Sequence, residues 1–509
     1  MKDCLLGLDI GTSSVKAALI DRNADVLCTA SASYRLLPAP AEYRQIDTND
    51  MWRALLSTIR QIGQNHDLHS VRGIGISCLC PGLSALDTHG NVLVDPIIYS
   101  DQRSIAQAEH IRCTIDEREL FSLTANTPMP GAMSSTSMLW IRDNLPALYD
   151  KTAFFGHVNT LVVARMTGCF AMDPSNASYT LLFETAGSLQ WSAHLCQQLG
   201  IPLEKLPPLL PSTGIVGHLK DASVISTGLA EGTPVVIGGG DTACASLAAG
   251  IVRDGDICES TGTTDVLTVC TQVPAFRREY INRCHVVPGA WLYQGAMSHI
   301  GSSLSWCRDT LCPDLASSVP QADPYDVLTS RARKNSCAGA NGLVFLPYMM
   351  GERSPVWDPY ARGVFFGVTL SSSRDDMVRA VLEAPGYGLR QMLQMVHELR
   401  PLNAAAFSVI GGGAKSAVWN QIKADIIGAE ITALDIQDMA PIGAALLSGV
   451  GVGVFDNVYS ASDAVQRRVL HTYSPACTEA ERELYLRRYD TYTKLYPQLK
   501  DIYRSNHDL

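Results

Sequence analysis

Short apolar runs that end in glycine or in small polar residues recur along this chain. They include residues 5–8, 71–77, 234–237 and 407–410. Because these runs are short and rich in β-branched and other apolar side chains, they favour buried strands over helices. Longer stretches, such as residues 417–427, follow some of them and predict helices. Alternating strands and helices of this kind predict an α/β fold.

Three consecutive glycines follow the predicted strand at residues 234–237, near the middle of the chain. They are Gly238, Gly239 and Gly240, and Asp241 comes directly after them. Glycine lets a backbone turn tightly and approach a ligand closely, and α/β enzymes place catalytic groups at strand ends. Asp241 is therefore a candidate catalytic carboxylate. The alternative is a glycine-rich turn capped by an Asp that bonds its own backbone.

A strand, a turn of small hydroxyl residues and a second strand occur near the start of each half of the chain. The first turn contains Gly11 and the second contains Gly262, each close to Thr and Ser residues. Such turns would offer backbone N–H groups and hydroxyl donors to phosphate oxygens. The repeat suggests two domains of common ancestry that face each other, with chance similarity of two hairpins as the alternative.

One difference between the two copies is informative, because the first has Asp9 where the second has Ser260. An acid that faces phosphates is favourable only when a divalent cation lies between them, and hard oxygen ligands suit Mg²⁺. A third glycine segment, residues 411–413, lies between a predicted strand and a predicted helix. A nucleotide can contact bare backbone in such a place. The spacing is not GxGxxG, so a dinucleotide site is set aside.

Composition narrows the class of protein. The chain has 509 residues, which favours two or more domains. Its net charge of −10 argues against a general nucleic-acid binder. Its 15 cysteines lack paired CxxC spacing and predict reduced thiols, not a disulfide or zinc framework. Early charges at Lys2 and Asp3 argue against a signal peptide, and the longest uncharged run, residues 439–455, is broken by Pro441 and by glycines. We therefore expect no membrane segment and a cytoplasmic protein.

One part of the second half matches a known signature. Residues 363–368 read GVFFGV, and after seven residues the sequence DMVRAVLE occupies residues 376–383. Just before them, residues 346–355 resemble an FLPYxxGERxP segment. Together with the glycine turns, and in this order, these motifs resemble the FGGY family of carbohydrate kinases over essentially the whole chain. Within that family, their order and wording are most similar to those of xylulose kinases.

The resemblance implies two actin-like ATPase domains of the ribonuclease H-like fold, with the active site in a cleft between them. Residues 1–246 would bind sugar and phosphate, and residues 247–509 would bind the nucleotide. The implied activity is ATP-dependent phosphorylation of a sugar hydroxyl, with ATP and Mg²⁺ as cofactors and a small-molecule sugar as substrate. No nucleic-acid or membrane partner is implied, and a homodimer is expected by analogy only.

The resemblance also assigns roles to particular residues. Asp241 would be the base for the sugar hydroxyl, and Asp9 and Asp241 would hold the metal. The residues expected to bind the sugar are Cys80, Pro81, Asp101, Arg103, Asp241 and Thr242. The residues expected to bind ATP are Thr12, Ser13, Ser14, Gly262, Thr263, Gly301, Ser305, Gly412, Gly413 and Ala414. At an ordinary pKa of about 3.9, Asp241 would be ionised at neutral pH.

Three further predictions are local. Asp101 and Arg103 lie between a predicted strand and a predicted helix, so they could line a pocket, with a surface ion pair as the alternative. Residues 173–178 are predicted to form a turn-rich loop. Pro385 is expected to kink the helix that carries residues 376–383.

The leading expectation for the substrate is D-xylulose, with D-xylulose 5-phosphate as the product. The chain has Cys80 and Pro81 where xylulose kinases usually carry Met-His, and Ser137 where the first family signature has Lys. Without that Lys, an acidic sugar such as gluconate is slightly disfavoured, although Arg103 could compensate. Kinases of gluconate, ribulose or erythritol are therefore alternatives, and so is a non-catalytic actin-like ATPase that senses sugars.

Overall fold

The computed structural model of the chain describes residues 3–40, 42–315, 323–399, 401, 407–436 and 438–505. The chain contacts divide it into two compact units. Unit 1 comprises Met1–Asp254, Cys270–Leu292 and Asp438–Gln466, and unit 2 comprises Gly255–Val269, Tyr293–Gln437 and Arg467–Leu509. Each unit therefore draws on several segments of the chain, and the domain boundary between residues 246 and 247 stays a prediction.

The described strands, in chain order, are β1 (Cys4–Ile10), β2 (Ser14–Asp21), β3 (Val26–Ser33), β4 (Val71–Cys78), β5 (Gly82–Leu86), β6 (Val92–Ile98), β7 (Phe154–Gly156), β8 (Ile215–His218), β9 (Pro234–Gly240), β10 (Ile257–Thr261), β11 (Asp265–Thr271), β12 (Ile281–Cys284), β13 (Trp291–Met297), β14 (Val344–Leu346), β15 (Val364–Phe366), β16 (Phe407–Gly411), β17 (Ile431–Leu434) and β18 (Val469–Tyr473).

The described α-helices are α1 (Thr48–Gly63), α2 (Ile105–Thr114), α3 (Glu117–Thr124), α4 (Ser134–Asn144), α5 (Pro146–Lys151), α6 (Val158–Thr167), α7 (Pro174–Ala177), α8 (Ala193–Leu199), α9 (Ala222–Ile225), α10 (Asp241–Ala249), α11 (Ile300–Trp306), α12 (Pro324–Asn335), α13 (Arg374–Leu399), α14 (Ala417–Ile427), α15 (Met439–Gly451), α16 (Val458–Ala464) and α17 (Glu479–Ser505). No described helix combines the length and the apolar character needed to cross a bilayer.

The main sheet of unit 1 runs in the order β3-β2-β1-β4-β9-β8. Strand β1 pairs antiparallel with β2 and parallel with β4, and β4 pairs parallel with β9. All seven residues of β1 are buried, as expected for a strand that is covered on both faces. Because parallel strands point the same way, the carboxyl ends of β1, β4 and β9 meet at one edge of this sheet.

The main sheet of unit 2 contains strands in the order β13-β11-β10-β16-β17-β18. Its centre repeats the arrangement of unit 1, because β10 pairs antiparallel with β11 and parallel with β16, and β16 pairs parallel with β17. Thr261 at the end of β10 pairs with Gly411 at the end of β16. The turns that follow these two strands therefore lie at the same edge of the sheet.

Helix α15 lies directly against β1 and β4. A Cβ atom at Gly7 would lie 1.8 Å from the carbonyl oxygen of Pro441, and one at Gly75 would lie 1.9 Å from that of Ala444. These distances leave no room for a side chain, so both strands carry glycine where the helix backbone contacts them. Residues 439–451 of the uncharged run thus form a helix that packs against β1 and β4.

The local predictions have mixed outcomes. Residues 173–178 contain the short helix α7, with Asp173 as its N-cap, so the prediction of a loop without a helix is wrong. Helix α13 is one continuous element of 26 residues that includes Pro385, and the expected kink stays a prediction. All 15 cysteines are free thiols, most of them buried, as their spacing predicted.

Candidate active site

The strand edge in unit 1 brings together residues that are far apart in the sequence. Asp9 of β1 pairs with Ser77 of β4, and Cys78 at the end of β4 pairs with Gly240 at the end of β9. Asp241 follows directly and is the first residue of helix α10. The predicted base, the second predicted metal ligand and the loop that follows β4 therefore lie at one edge of the sheet.

Asp241 is oriented by the residue that follows it. Its Oδ1 accepts hydrogen bonds from the Thr242 backbone N–H at 2.6 Å and from the Thr242 hydroxyl at 3.2 Å. Burial raises the pKa of Asp241, while the Arg283 guanidinium and the Thr242 hydrogen bonds lower it. The expectation of an ordinary pKa is wrong, because desolvation outweighs the contacts that favour the charged form.

Asp9 is the second carboxylate at this edge. It is 8% exposed, and its Oδ1 accepts a hydrogen bond from the Ser77 hydroxyl at 2.7 Å. Burial, and after it the negative charge of Asp241, raises the pKa of Asp9 to about 7. A divalent cation would relieve this repulsion, and carboxylate oxygens are ligands that Mg²⁺ prefers. The described part of the chain contains no cluster of three or more metal-ligating side chains, so a Mg²⁺ here would also need oxygens from water or phosphate.

The loop after β4 carries Cys80 and Pro81, which are joined by a cis peptide bond. Cys80 Sγ lies 4.0 Å from Nδ1 of His157. The two ring nitrogens of this buried histidine contact Asn176 and Ser134, and burial lowers its pKa to about 4. A neutral imidazole therefore lies beside the loop, although the loop itself has no histidine. No local sequence pattern indicates this neighbour, because His157 lies 77 residues from Cys80.

Asp101 and Arg103 form a buried ion pair, with side chains that are 0% and 3% exposed. Nε and Nη2 of Arg103 both donate to the Asp101 carboxylate, and Nη2 also donates to Gln45. The guanidinium lies over the Tyr43 ring at 3.9 Å from its centroid and over Trp140 at 5.0 Å. The surface alternative is therefore wrong. The charge of Arg103 is already paired, so it is not a free cation that could compensate for Ser137.

Arg283 was not singled out from the sequence, yet it lies beside Asp241. It belongs to β12 and is 1% exposed. A Cβ atom at Gly240 would lie 2.1 Å from Nη2 of Arg283, so the guanidinium lies against the residue that precedes Asp241. The strand sequence INRC does not distinguish Arg283 from a surface arginine, and only the fold shows that it is buried.

A pocket of about 340 Å³ lies in unit 2, at the turns that follow β10 and β16. The predicted ATP-binding residues that line it are Gly262, Thr263, Gly301, Ser305, Gly412 and Gly413. Ala414 is only 2% exposed and is not among the lining residues. A Cβ atom at Gly301 would lie 2.0 Å from the Gly262 carbonyl oxygen, so bare backbone forms this wall and a side chain would fill it.

Other lining residues were not predicted. Tyr325, Asp326, Lys415 and Trp419 also border the pocket. The Tyr325 hydroxyl lies 2.8 Å from the Ser305 hydroxyl. The pocket therefore combines glycine backbone with two aromatic side chains and a lysine, which is a suitable lining for a planar base and its phosphates.

The remaining predicted ATP-binding residues belong to unit 1: Thr12 and Ser13 lie in the turn between β1 and β2, and Ser14 is the first residue of β2. The Gly11 N–H donates to the Ser14 carbonyl at 2.9 Å and closes the turn. Ser13 is exposed. Within the part of the chain that the structure describes, no hydrogen bond engages the hydroxyl of Thr12 or Ser13, so both are available to a ligand.

A buried polar cluster supports the turn after β10. Lys423 Nζ and the Thr261 hydroxyl both donate to Oε1 of Glu259, each at 2.5 Å. Asp265, which pairs with Thr261 across the turn, has a pKa well above its ordinary value because of burial and the charge of Glu259. The cluster connects the turn to helix α14, which carries Lys423.

The charged residues at 376–383 have a packing role in unit 2. Arg379 Nε donates to Glu383 at 2.8 Å, and the two side chains are 7% and 0% exposed. Glu383 also accepts hydrogen bonds from the Tyr387 hydroxyl and the Gly339 N–H. These contacts fix helix α13 within the unit, and none of these four residues lines the pocket.

Known proteins resemble this chain over almost its full length. A xylulose kinase of Bacillus subtilis (strain 168) is 29% identical over 504 residues, which cover 98% of this chain and 97% of that protein. A gluconokinase of the same strain is 28% identical over 475 residues, covering 93% and 92%. The solved structure of a xylulose kinase from Rhodospirillum rubrum has a TM-score of 0.90 at 26% identity and covers 98% of this chain and 100% of that one. This likeness confirms the predicted two-domain, actin-like α/β fold.

The family models match both parts of the chain in order. The N-terminal domain of the FGGY family of carbohydrate kinases matches residues 4–248, and the C-terminal domain matches residues 259–452. The first match includes the strand edge with Asp9 and Asp241, and the second includes the glycine turns of the pocket. Because the two models together account for most of its length, this chain belongs to the FGGY family of carbohydrate kinases and is a phosphotransferase.

Proposed function

We propose that the protein transfers the γ-phosphoryl group of ATP to a hydroxyl of D-xylulose and forms D-xylulose 5-phosphate, with Asp241 as the general base. The observation that carries the proposal is the position of Asp241. Asp241 follows a buried parallel strand, and Thr242 orients its Oδ1. It also lies close enough to a second carboxylate, Asp9, for its negative charge to raise the pKa of Asp9. Similarity to xylulose kinases supports the choice of sugar.

In this mechanism Asp241 accepts the proton of the attacking sugar hydroxyl and orients its oxygen for in-line attack on the γ-phosphorus. Phosphoryl transfer has a loose transition state, so the protein mainly positions the reactants and neutralises charge. Arg283 supports this role, because its positive charge lowers the pKa of Asp241 against the effect of burial. The base is therefore kept closer to its ionised form than desolvation alone would allow.

The pocket of unit 2 is proposed to hold the adenine nucleotide. Tyr325 and Trp419 offer apolar ring surface at its wall, and the backbone of Gly262 and Gly413 offers N–H groups without steric obstruction. The turn at Thr12 and Ser13 is proposed to contact phosphate oxygens through its free hydroxyls. These assignments agree with the roles that the family resemblance implies.

Mg²⁺ is proposed to be held by Asp9 and Asp241, together with water and phosphate oxygens. Bound there, it would offset the negative charge of the phosphates. Two neighbouring carboxylates with mutually unfavourable charge fit such an ion. Omitting Mg²⁺, or adding EDTA, should therefore abolish turnover.

A second candidate substrate is gluconate. A gluconokinase is among the relatives of similar identity, and the sugar loop departs from the xylulose kinase pattern at Cys80 and Pro81. Against it, Ser137 supplies no charge and Arg103 is already paired with Asp101. These observations favour a neutral ketose.

The test is ADP release by the purified protein with Mg-ATP and a panel of D-xylulose, D-ribulose, D-gluconate, glycerol and erythritol. We expect the highest turnover with D-xylulose and a loss of about 10²- to 10⁴-fold in kcat for Asp241→Asn. Asp116→Asn is the matched control, because Asp116 is an exposed carboxylate at the start of α3 that only caps backbone N–H groups.

Each outcome of the panel has a distinct meaning. Turnover with another sugar alone would contradict D-xylulose as the substrate but would still support kinase activity. Slow ATP hydrolysis that is indifferent to every sugar and to Asp241→Asn would contradict the proposed reaction and favour a sugar-sensing ATPase.

A further inference from the structure

Arg283 is a buried cation whose hydrogen-bonding capacity is largely unused. It is 1% exposed, and its Nη1 lies 3.4 Å from the Tyr179 hydroxyl. Its Nε and Nη2 have no hydrogen-bond partner among the residues that the structure describes. Buried guanidinium groups are normally paired, because an unsatisfied buried donor is destabilising, and more so when it is charged. The unused donors therefore indicate a ligand.

The free donors lie next to the proposed base. Nη2 would be 2.1 Å from a Cβ atom placed on Gly240, and the Cβ atom of Cys80 would be 3.3 Å from the same point. Gly240 directly precedes Asp241, and Cys80 belongs to the loop that follows β4. The guanidinium thus borders the strand edge where the sugar hydroxyl is proposed to react.

The surroundings of Arg283 provide negative charge without a direct partner. Burial disfavours the charged form of Arg283, whereas the carboxylates of Asp241 and Asp173 favour it, but within the described chain no carboxylate oxygen comes within the 4.0 Å of an ion pair. Asp173 is already engaged, because it accepts hydrogen bonds from neighbouring amide and hydroxyl groups.

This balance favours a neutral ligand over an acidic one. Asp241 and Asp173 already offset the charge of Arg283 through space, so a further carboxylate would add a negative charge next to the base. Hydroxyl or carbonyl oxygens of a sugar would instead fill the free donors without adding charge. A guanidinium presents its N–H groups in a fixed, planar arrangement, so it can also fix the orientation of such oxygens.

We infer that Arg283 determines acceptor specificity, with Nε and Nη2 donating hydrogen bonds to two oxygen atoms of a neutral sugar beside the hydroxyl that Asp241 activates. The inference rests on the proposed function and specifies its substrate class as a neutral polyhydroxylated sugar.

The test compares Arg283→Met and Arg283→Lys with the unmodified protein. We expect Arg283→Met to raise the KM for D-xylulose at least about tenfold, since a hydrogen bond to a charged group contributes about 1.5–3 kcal/mol. The KM for ATP should change less than about twofold. Arg283→Lys keeps the charge but loses the planar arrangement, so it should recover only part of the affinity.

Arg165→Met is the control for loss of an arginine elsewhere in unit 1, because Arg165 is exposed and its guanidinium lies 4.1 Å from the Trp52 ring centroid, as that of Arg283 lies 4.9 Å from the Tyr179 centroid. It should leave both KM values unchanged. Thermal unfolding midpoints and ATP affinity establish that each variant is folded, and Arg283→Lys serves as the test if Arg283→Met does not fold.

Direct binding of D-xylulose and D-gluconate, measured by calorimetry with each variant and also in the Asp241→Asn background, separates this inference from the proposed reaction. Sugar binding that depends on Arg283, even without turnover, supports the inference. Normal turnover of Arg283→Met with an unchanged KM for D-xylulose overturns the inference about Arg283 but leaves the proposed kinase activity intact. A loss confined to D-gluconate overturns the neutral class, and no sugar binding by the unmodified protein overturns the inference altogether.

Discussion

At the end of β9, a carboxylate and a guanidinium alter each other's affinity for protons. Burial alone would favour a neutral Asp241, whereas Arg283 favours the ionised form. Asp241 in turn favours a charged Arg283. These opposing effects on the pKa of Asp241 both come from the protein, so they would keep the proposed base nearer to its ionised form than burial alone would allow.

His285 is a buried histidine of unit 1, and the effect of its burial on stability can be tested by varying the pH. His285 Nε2 donates to the Ile251 carbonyl at 2.8 Å, and its Nδ1 accepts from the Val286 N–H at 2.8 Å. Burial lowers the pKa of His285 from 6.5 to about 4. Between these values the unfolded chain binds a proton that the folded chain does not, so the free energy of unfolding falls as pH drops from 6.5 to 4, by up to about 1.4 kcal/mol per pH unit.

We therefore expect His285→Gln to reduce the slope of stability against pH in this window, measured as urea-unfolding midpoints at several pH values. His110→Gln removes an exposed imidazole and is the control. Equal slopes for His285→Gln and the unmodified protein would contradict a neutral, buried His285.

Individual site residues differ in how well the sequence predicts them. Asp9 and Asp241 each follow a short apolar run and lie beside a glycine segment, so their position at strand ends could be predicted. Arg283 and His157 reach the same edge from elements far along the chain. Their burial depends on tertiary contacts, which no local pattern contains.

A buried ion pair joins strand β10 and helix α14 of unit 2. Lys423 and Glu259 are both 0% exposed, and their side chains meet at 2.5 Å although they are 164 residues apart. This pair connects helix α14 to the strand whose turn borders the proposed nucleotide pocket. The strands and the glycine turns were predicted from short apolar runs, but a pairing over such a separation was not.

Lys423→Met should destabilise the protein by about 3–5 kcal/mol, because it removes the cationic partner of a carboxyl group that is fully buried. Lys494→Met removes an exposed pair with Asp490 and should cost less than about 0.5 kcal/mol. Urea-unfolding midpoints of both variants test the contrast. Similar midpoints would show that the buried pair does not hold α14 in place.

On the scale of the whole molecule, the two proposed ligand sites rest on different units. Asp241 and Arg283 belong to unit 1, and every residue that lines the 340 Å³ pocket belongs to unit 2. The family membership and the two-domain fold followed from motifs along the whole chain. The choice of sugar did not, because it depends on a few side chains at one strand edge where this chain departs from the xylulose kinase pattern.

This separation predicts that the two affinities can be changed independently. Gly301→Ala would place a Cβ atom 2.0 Å from the Gly262 carbonyl oxygen, so we expect at least about tenfold weaker ATP binding from the resulting strain. Binding of D-xylulose should be unchanged. Calorimetric titrations of Gly301→Ala and of the unmodified protein with ATP and with D-xylulose test this expectation.

The most direct test of the central claim is the transfer of labelled γ-phosphate from ATP to D-xylulose, followed in the unmodified protein and in Asp241→Asn at equal ATP saturation. We expect labelled D-xylulose 5-phosphate from the unmodified protein and at least about 100-fold slower formation by the variant. Equal rates of labelling in the two proteins would contradict the assignment of Asp241 as the base, and no labelled sugar from either would contradict D-xylulose as the substrate.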